Sequence, residues 1–181
     1  MRVTSFAHMA AVMGVLLLAA PASAETAAEI DAGVEAARDA CASDVEGCEA
    51  AAEKAQGMLV FPKVTKGAIG VGGSYGEGAL IVDDKPAGYY STAAASIGLQ
   101  LGGERYSQII MFMTPEALES FRNSSGWEVG ANAKVTMIDQ GKAADINAII
   151  AADPVVAFVF GQQGLMGDLS VEGAKITKLD R

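Results

Sequence analysis

The sequence contains a single histidine, His8, which lies close to the N-terminus. Histidine is the usual general base for a serine or cysteine nucleophile and the commonest zinc ligand. A phosphate-binding loop is also missing, because the glycine-rich segment 67–78 lacks the Gly-Lys-Ser/Thr ending of that motif. We therefore expect no catalytic residue, no cofactor, no metal site and no enzymatic activity.

Basic residues are scarce, with 13 Lys plus Arg against 22 Asp plus Glu and a formal net charge of −9. Binding to a nucleic acid requires clustered Lys and Arg, so no nucleic-acid partner is expected. Long-range attraction to anionic lipid is disfavoured for the same reason. The chain is nevertheless 51% hydrophobic and only 19% charged, which excludes a disordered, solvating protein.

Long apolar runs are missing as well. The run Ala10–Ala20 has eleven residues, whereas a membrane-spanning helix needs about 20. Arg2 precedes this run and Ala22-Ser23-Ala24 follows it, which is the pattern of a signal peptide. We predict cleavage after Ala24 and export to the periplasm or to the periphery of the envelope. Cleavage would remove His8 and Arg2 but no acid, and would leave a formal charge of −10.

The chain has only two cysteines, Cys41 and Cys48, and in an exported protein such a pair suggests a disulfide. On one continuous helix their separation of seven residues would place them about 10 Å apart along the axis. A disulfide cannot span that distance. The predicted disulfide therefore requires a helix break near residues 43–47. The alternative is a pair of buried thiols.

Composition divides the mature chain into two parts. Residues 25–56 are rich in Ala and Glu and carry apolar residues at helical spacing, namely Ile30, Val34, Ala37 and Cys41. From Gly57 onward, glycines alternate with short runs of β-forming residues, which predicts an antiparallel meander. We therefore predict a signal peptide over 1–24, a helical segment over 25–56 and a β-rich domain over 57–181, with 25–181 folding as one unit.

Turns and caps refine this prediction. Residues 83–86 and 102–104 have turn chemistry, and Thr114-Pro115 resembles a helix start, with Thr114 as the N-cap. Runs of β-formers elsewhere bring the total to about eight strands, and a barrel would hide their edges. The expected fold class is α+β, with N-terminal helices packed on an antiparallel, barrel-like sheet of about eight strands.

Two short features are candidate binding sites. Lys63 and Lys66 lie at the predicted entry to the sheet, where they could contact an anionic head group or remain as solvated surface lysines. Leu165 and Met166 lie in the glycine-spaced turn 161–167. They could form an apolar tip that inserts into lipid, or pack over an open end of the barrel.

Three blocks of the sequence, which together span about residues 50–178, resemble the SYLF lipid-binding domain family. The first block matches at Ala55, Gly57, Pro62, Lys66, Gly67, Gly73, Gly76 and Gly78. The second contains Tyr90-Ser91 and the Gly-x-Gln-x-Gly segment 98–102. The third matches at Gly164, Leu165, Gly167, Leu169, Glu172 and Gly173.

The resemblance implies a non-enzymatic domain associated with lipid, notably phosphoinositides, and with actin in fungal members. In eukaryotic members those activities rest partly on a basic amphipathic N-terminal segment, whereas residues 25–56 here are acidic. An exported protein does not meet cytosolic actin, so actin is not an expected partner. The expected partner is a lipid or membrane surface, and the alternative is a protein of the envelope that binds the same fold.

Overall fold

The computed structural model describes residues 24–138, 146–164 and 173–181. Its elements, in chain order, are α1 (Ala27–Asp44), α2 (Cys48–Ala52), β1 (Gly57–Val82), β2 (Lys85–Phe112), α3 (Pro115–Asn123), β3 (Trp127–Glu128), β4 (Thr136–Ile138), α4 (Ile146–Ala152), β5 (Val155–Gly164) and β6 (Lys175–Leu179). Helices and a sheet occur in one chain, so the predicted α+β class is confirmed.

Helix α1 begins with a capping box, in which the Thr26 side chain accepts from the Glu29 N–H and the Glu29 carboxylate accepts from the Thr26 N–H. Ile30, Val34, Ala37 and Cys41 are all buried, as their helical spacing predicted. The hydroxyl of Thr114 caps α3 in the same way, by accepting from the Ala117 N–H.

The predicted disulfide between Cys41 and Cys48 is confirmed, with a Cα–Cα distance of 5.8 Å. The helix break that it requires is present, because α1 ends at Asp44 and α2 begins at Cys48. Gly47 makes the break possible, since its φ of 79° is one that glycine adopts without steric cost. The bond therefore fixes the direction of α2 relative to the end of α1.

The β-rich region is dominated by one long antiparallel hairpin rather than a meander of short strands. Asp83 and Asp84 form its turn, with φ values of 50° and 57°, so the turn predicted at 83–86 is confirmed. The turn predicted at 102–104 is wrong, because these residues continue β2 and pair with residues 66–68 of β1. Gly67 and Gly103 are a cross-strand pair within this extended hairpin.

Strand β2 organises the rest of the sheet. Its C-terminal half pairs with β5 and its N-terminal half with β6, both antiparallel, while β3 extends the sheet beyond β6. The expectation of a purely antiparallel sheet is wrong, because β4 pairs with β5 in parallel and the sheet is mixed. Helix α4 lies between β4 and β5 in the chain, and a crossover connection of this kind is what joins parallel strands.

The number of strands depends on how the hairpin is counted. The sheet has six strands in the described parts of the chain. A register shift between Ile69 and Val71 divides β1 into two halves, and residues 97–101 divide β2 at the same level. If the two halves of each strand are counted separately, the sheet has eight strand segments. The sheet is strongly curled into a half-barrel, since the second half of β1 lies against the first. A Cβ added at Gly78, for example, would lie 2.8 Å from a ring carbon of Phe61.

Apolar side chains cover both faces of the curled sheet. One core cluster joins α1 and α2 to residues of β1, β2 and β5 such as Val60, Ile109 and Phe158. The other core cluster joins α3 to the residues that alternate with these, such as Leu59, Ile110 and Phe112. The sheet is therefore the shared middle layer of the molecule. None of the helices in the described ranges is long and apolar enough to cross a membrane.

Candidate functional site

A bulge in β1 determines how Lys63 is presented. The pairing of β1 with β2 shifts register between Phe61 and Val64. At this shift the carbonyl of Pro62 accepts a hydrogen bond of 2.8 Å from the side-chain hydroxyl of Ser107. Val64 is fully buried after this shift, so alternation along the strand places Lys63 and Thr65 on the other face. Lys63 is exposed there, at the first predicted site.

Lys63 lines a solvent-open cavity of about 740 Å³, which we call the N-terminal cavity. Its walls are the two halves of β1 and the residues before α1: Ala24, Glu25, Lys63, Thr65, Gly67, Gly73, Ser74, Tyr75, Gly76 and Glu77. Gly76 lets the walls approach, because a Cβ there would lie 2.8 Å from the Lys63 carbonyl oxygen. The cavity is thus a product of the curl in β1.

Glu77 is the buried carboxylate of the N-terminal cavity, with only 7% of its side chain exposed. Three donors converge on it. The Tyr75 hydroxyl donates to Oε1 at 2.8 Å, and Oε2 accepts from the Arg181 guanidinium at 2.6 Å and from the Glu25 backbone N–H at 3.2 Å. Charge-assisted hydrogen bonds to a buried carboxylate are among the stronger ones in proteins. Glu77 therefore ties both ends of the described chain to β1.

Tyr75 is a large side chain that is 51% exposed, although its hydroxyl is bound to Glu77. Partial burial raises the pKa of Tyr75, and the hydrogen bond to Glu77 raises it further. The phenol therefore stays neutral and remains a donor at physiological pH. Its ring forms an aromatic surface at the cavity mouth that a ligand or a partner could contact.

Lys63 is already engaged in an ion pair, because its Nζ lies 3.1 Å from Oε1 of Glu25. The two side chains are 59% and 34% exposed. An exposed pair of this kind contributes about 0–1 kcal/mol. An anionic group could therefore displace the Glu25 carboxylate from Lys63 at small cost. As long as Glu25 is in place, however, its negative charge weakens the attraction between Lys63 and an anionic group.

Lys66 does not share this site with Lys63. It follows Val64 on the same face of β1, and its cross-strand neighbour on β2 is Glu104. Glu104 is only 3% exposed, and its Oε2 has no hydrogen-bond partner within the described residues. The two lysines predicted as one basic site therefore lie on opposite faces of β1. Leu165 and Met166, the predicted apolar tip, lie outside the described residues.

A second cavity of about 620 Å³ separates the N-terminal helices from the sheet. Its acidic lining residues are Glu35, Asp39, Glu49, Glu53, Asp83 and Asp84. Arg38 supplies the positive charge among its lining residues and is paired with Asp84 at 2.6 Å. This concentration of carboxylates repels an anionic head group. Between the two cavities, the N-terminal cavity is the better candidate for an anionic ligand.

The buried carboxylate of the N-terminal cavity and the groups bound to it were not predicted from the sequence. Glu77, Tyr75, Glu25 and Arg181 were not predicted as site residues, because neither spacing nor a motif connects them. One signal was present in the sequence. Glu77 is a lone acid within the run of small and apolar residues 76–82, and an acid in a buried strand requires a partner.

Groups of acidic, cysteine or histidine side chains that could hold a metal ion do not occur among residues 24–138, 146–164 and 173–181. Residues 93–181 match the family model Ysc84, which is described as a Las17-binding protein actin regulator. The match begins within β2 at Ala93 and runs to Arg181, so it includes the described elements from α3 to β6. No curated protein sequence matches the chain.

Proposed function

Residues 93–181 belong to the Ysc84 (SYLF) family, a family of binding domains, and from this premise we propose that the protein is a non-enzymatic, lipid- or membrane-associated module of the bacterial envelope. The family match is the observation that carries the proposal. The disulfide supports export, because disulfides persist in oxidising compartments such as the periplasm. The signal-peptide pattern of residues 1–24 supports the same location.

Apolar contact, rather than charge, supplies most of the binding energy in this proposal. The net charge of −10 expected after cleavage gives no long-range attraction to an anionic surface, and charges beyond about 8 Å are screened at physiological salt. Each lysine near an anionic head group could contribute about 1 kcal/mol. Lys63 contributes less than that, because Glu25 already neutralises it. Burial of Leu165 and Met166 would contribute about 1.5–3 kcal/mol per side chain.

Liposome co-sedimentation of the protein tests this balance. Vesicles of phosphatidylethanolamine and phosphatidylglycerol are compared with neutral phosphatidylcholine vesicles over a range of salt concentrations. We expect weak binding that persists as salt rises. The double variant Leu165→Asp plus Met166→Asp should lose about 100-fold or more in affinity, since two apolar contacts of this size exceed about 3 kcal/mol. The double variant Lys63→Ala plus Lys66→Ala should lose less than about tenfold.

Two exposed lysines elsewhere provide a matched control. Lys85, just after the hairpin turn, and Lys178, in β6, are both exposed and lie away from the N-terminal cavity. Lys85→Ala plus Lys178→Ala removes the same charge as the Lys63 and Lys66 variant and should leave binding unchanged. Binding that disappears between low and moderate salt would show that charge dominates.

Export is tested separately by the intact mass of the protein from the envelope fraction of the producing bacterium. The polypeptide should begin at Glu25. Retention of Met1 in the cytoplasm would contradict the location that we propose. Absence of metal- or nucleotide-dependent catalysis has its own test. Stoichiometric zinc after purification without added metal, or nucleotide hydrolysis that one Asp substitution abolishes, would contradict this part of the proposal.

A protein-binding role in the envelope is the second candidate, and the exposed ring of Tyr75 favours it. Tyrosine is enriched at protein interfaces, where its ring supplies apolar area and its hydroxyl a hydrogen bond. The Tyr75 hydroxyl is held by Glu77, so the ring is presented in a fixed orientation. Absence of binding to all vesicle compositions, together with capture of one envelope protein that Tyr75→Ala abolishes, would favour this role.

A further inference from the structure

Glu77 makes a contact whose chemistry depends on the predicted processing of the chain. Of its three donors, two are side chains, Tyr75 and Arg181. The third is the backbone nitrogen of Glu25, 3.2 Å from Oε2. This nitrogen belongs to the peptide bond between Ala24 and Glu25, which is the bond predicted to be cleaved.

Cleavage changes the charge of this nitrogen. Hydrolysis consumes one water, breaks the C–N bond, and leaves a carboxylate on Ala24 and an amino group on Glu25. The amide nitrogen was neutral, whereas an α-amino group is protonated at neutral pH. A neutral donor next to a buried carboxylate would thus become a cation.

We propose that cleavage after Ala24 creates an ion pair between the new α-ammonium of Glu25 and the carboxylate of Glu77, so that processing completes the N-terminal cavity. This inference rests on the export that we propose above. It assigns Glu77 as the docking group for the mature N-terminus. Maturation would then stabilise the fold as well as release the leader.

Residue 25 is held in place by contacts that cleavage does not remove. Thr26 caps α1 through Glu29, with the Thr26 N–H donating to Oε2 of Glu29 at 2.7 Å. The side chain of Glu25 pairs with Lys63 at 3.1 Å. Ile30, one turn into α1, is fully buried. These contacts therefore keep the new ammonium next to Glu77 after Ala24 has been removed. Ala24 itself lines the cavity before cleavage.

Two carboxylates of the cavity lie near the new ammonium, those of Glu77 and Glu25, which are paired with Arg181 and Lys63. The Glu77 carboxylate is buried and also accepts from neutral donors, so a cation in place of the neutral Glu25 N–H strengthens its contacts. The ammonium lies at the N-terminus of α1, where the helix dipole disfavours a cation. A neighbouring buried carboxylate is what offsets that repulsion.

Proteins with defined N-termini test the proposal directly. The chain beginning at Glu25, which contains every residue of both core clusters, is compared with the same chain preceded by Ser23-Ala24. The extension keeps the Glu25 N–H as a donor and moves the ammonium away. We expect the extension to lower Tm by about 2–6 °C, because the contact with Glu77 keeps its hydrogen bond and loses its charge. In the Glu77→Gln background the extension should leave Tm unchanged or raise it slightly, because the helix dipole disfavours the ammonium there.

A second measurement does not depend on stability. Acylation of the α-amino group under native conditions, followed by mass spectrometry, should be slow in the parent chain and at least tenfold faster in Glu77→Gln. Lys63→Gln is the matched control, because it removes the Glu25 side-chain pair and keeps Glu77. Lys63→Gln should therefore preserve both the effect of the extension and the slow acylation.

Several results would overturn the ion pair. One is an extension that lowers Tm equally with Glu77 and with Gln at position 77. Another is an extension without effect in the parent chain, and a third is an α-amino group that reacts equally fast in both. Failure of the proposed export would be a separate result, because export is tested by the intact mass of the protein from the cell. The ion pair is tested on purified proteins whose N-termini are defined in advance.

Discussion

At the scale of the residue, Gly78 decides whether the two halves of β1 can pack against each other. An added Cβ would collide with the Val60 carbonyl oxygen and lie 2.8 Å from a ring carbon of Phe61. Both neighbours are fully buried and cannot move aside. We expect Gly78→Ala to lower the free energy of unfolding by about 1–3 kcal/mol or more, as overpacking of a core does. Urea denaturation followed by circular dichroism measures the change.

Gly67 in the same glycine-rich segment is the matched control. A Cβ there would meet nothing within 4 Å, and Gly67 is exposed. Gly67→Ala should change the free energy of unfolding by less than about 0.5 kcal/mol. Equal destabilisation by the two substitutions would show that the glycines act through backbone flexibility, rather than through close approach at Gly78.

The sequence predicts that the glycines of segment 67–78 have a structural role and do not form a phosphate-binding loop. It does not predict which of these glycines are essential for packing. Close approach at Gly78 depends on Val60, which lies far from it in the chain, so no local pattern reports it. The same holds for Lys63 and Lys66. Their spacing suggested one basic site, whereas the bulge after Phe61 and the alternation that follows Val64 separate them.

At the scale of the element, the disulfide fixes the junction between α1 and α2. Cys41 and Cys48 are both buried, and the bond between them closes a short loop. Replacing Cys41 and Cys48 together by alanine should lower the free energy of unfolding by about 2–3 kcal/mol, mainly because the unfolded chain regains the freedom of that loop. Guanidinium denaturation of the oxidised protein and of the double variant measures the difference.

Reduction of the parent protein supplies the control. With excess reductant, its unfolding midpoint should fall close to that of the Cys41→Ala plus Cys48→Ala variant. Two thiols that titrate in the protein as freshly purified would contradict the bond itself. A reduced protein as stable as the oxidised one would instead mean that the packing of α2 holds the junction without the bond.

Helices were predicted more completely than strands, for a physical reason. The periodicity of Ile30, Val34, Ala37 and Cys41, and the Thr114 cap, are local signals, and they located α1 and α3 correctly. Strand pairing depends on residues distant in sequence. The parallel pairing of β4 with β5 was therefore not foreseen.

At the scale of the whole molecule, the four tyrosines predict how the protein responds to alkali. Burial raises the pKa of Tyr106, and it is also the main cause of the raised pKa of Tyr75, Tyr89 and Tyr90. The folded state thus retains phenol protons that the unfolded chain loses above about pH 10. Stability is fully present below that pH and declines as the pH rises through the folded pKa values.

A spectroscopic pH titration tests this prediction. Tyrosinate absorbance should rise later in the folded protein than in urea, and its late phase should coincide with loss of the circular dichroism signal. Tyr106→Phe should delay alkaline unfolding, because it removes one buried ionisable phenol. Tyrosines that all titrate at the pH found in urea, while the fold persists, would contradict the assignment of burial as the cause.

The long hairpin also dictates an order of assembly. Its pairs are nested around Asp83-Asp84, from Val82 with Lys85 outward to Gly57 with Phe112, so each new pair closes only a little more chain than the one before. Such zippering is entropically cheap, whereas β5 and β6 must be recruited from much farther along the polypeptide. Until they arrive, one edge of β2 has unpaired N–H and C=O groups. A chain truncated before Val155 would keep that edge open and offer it to a second copy, which is a route to aggregation.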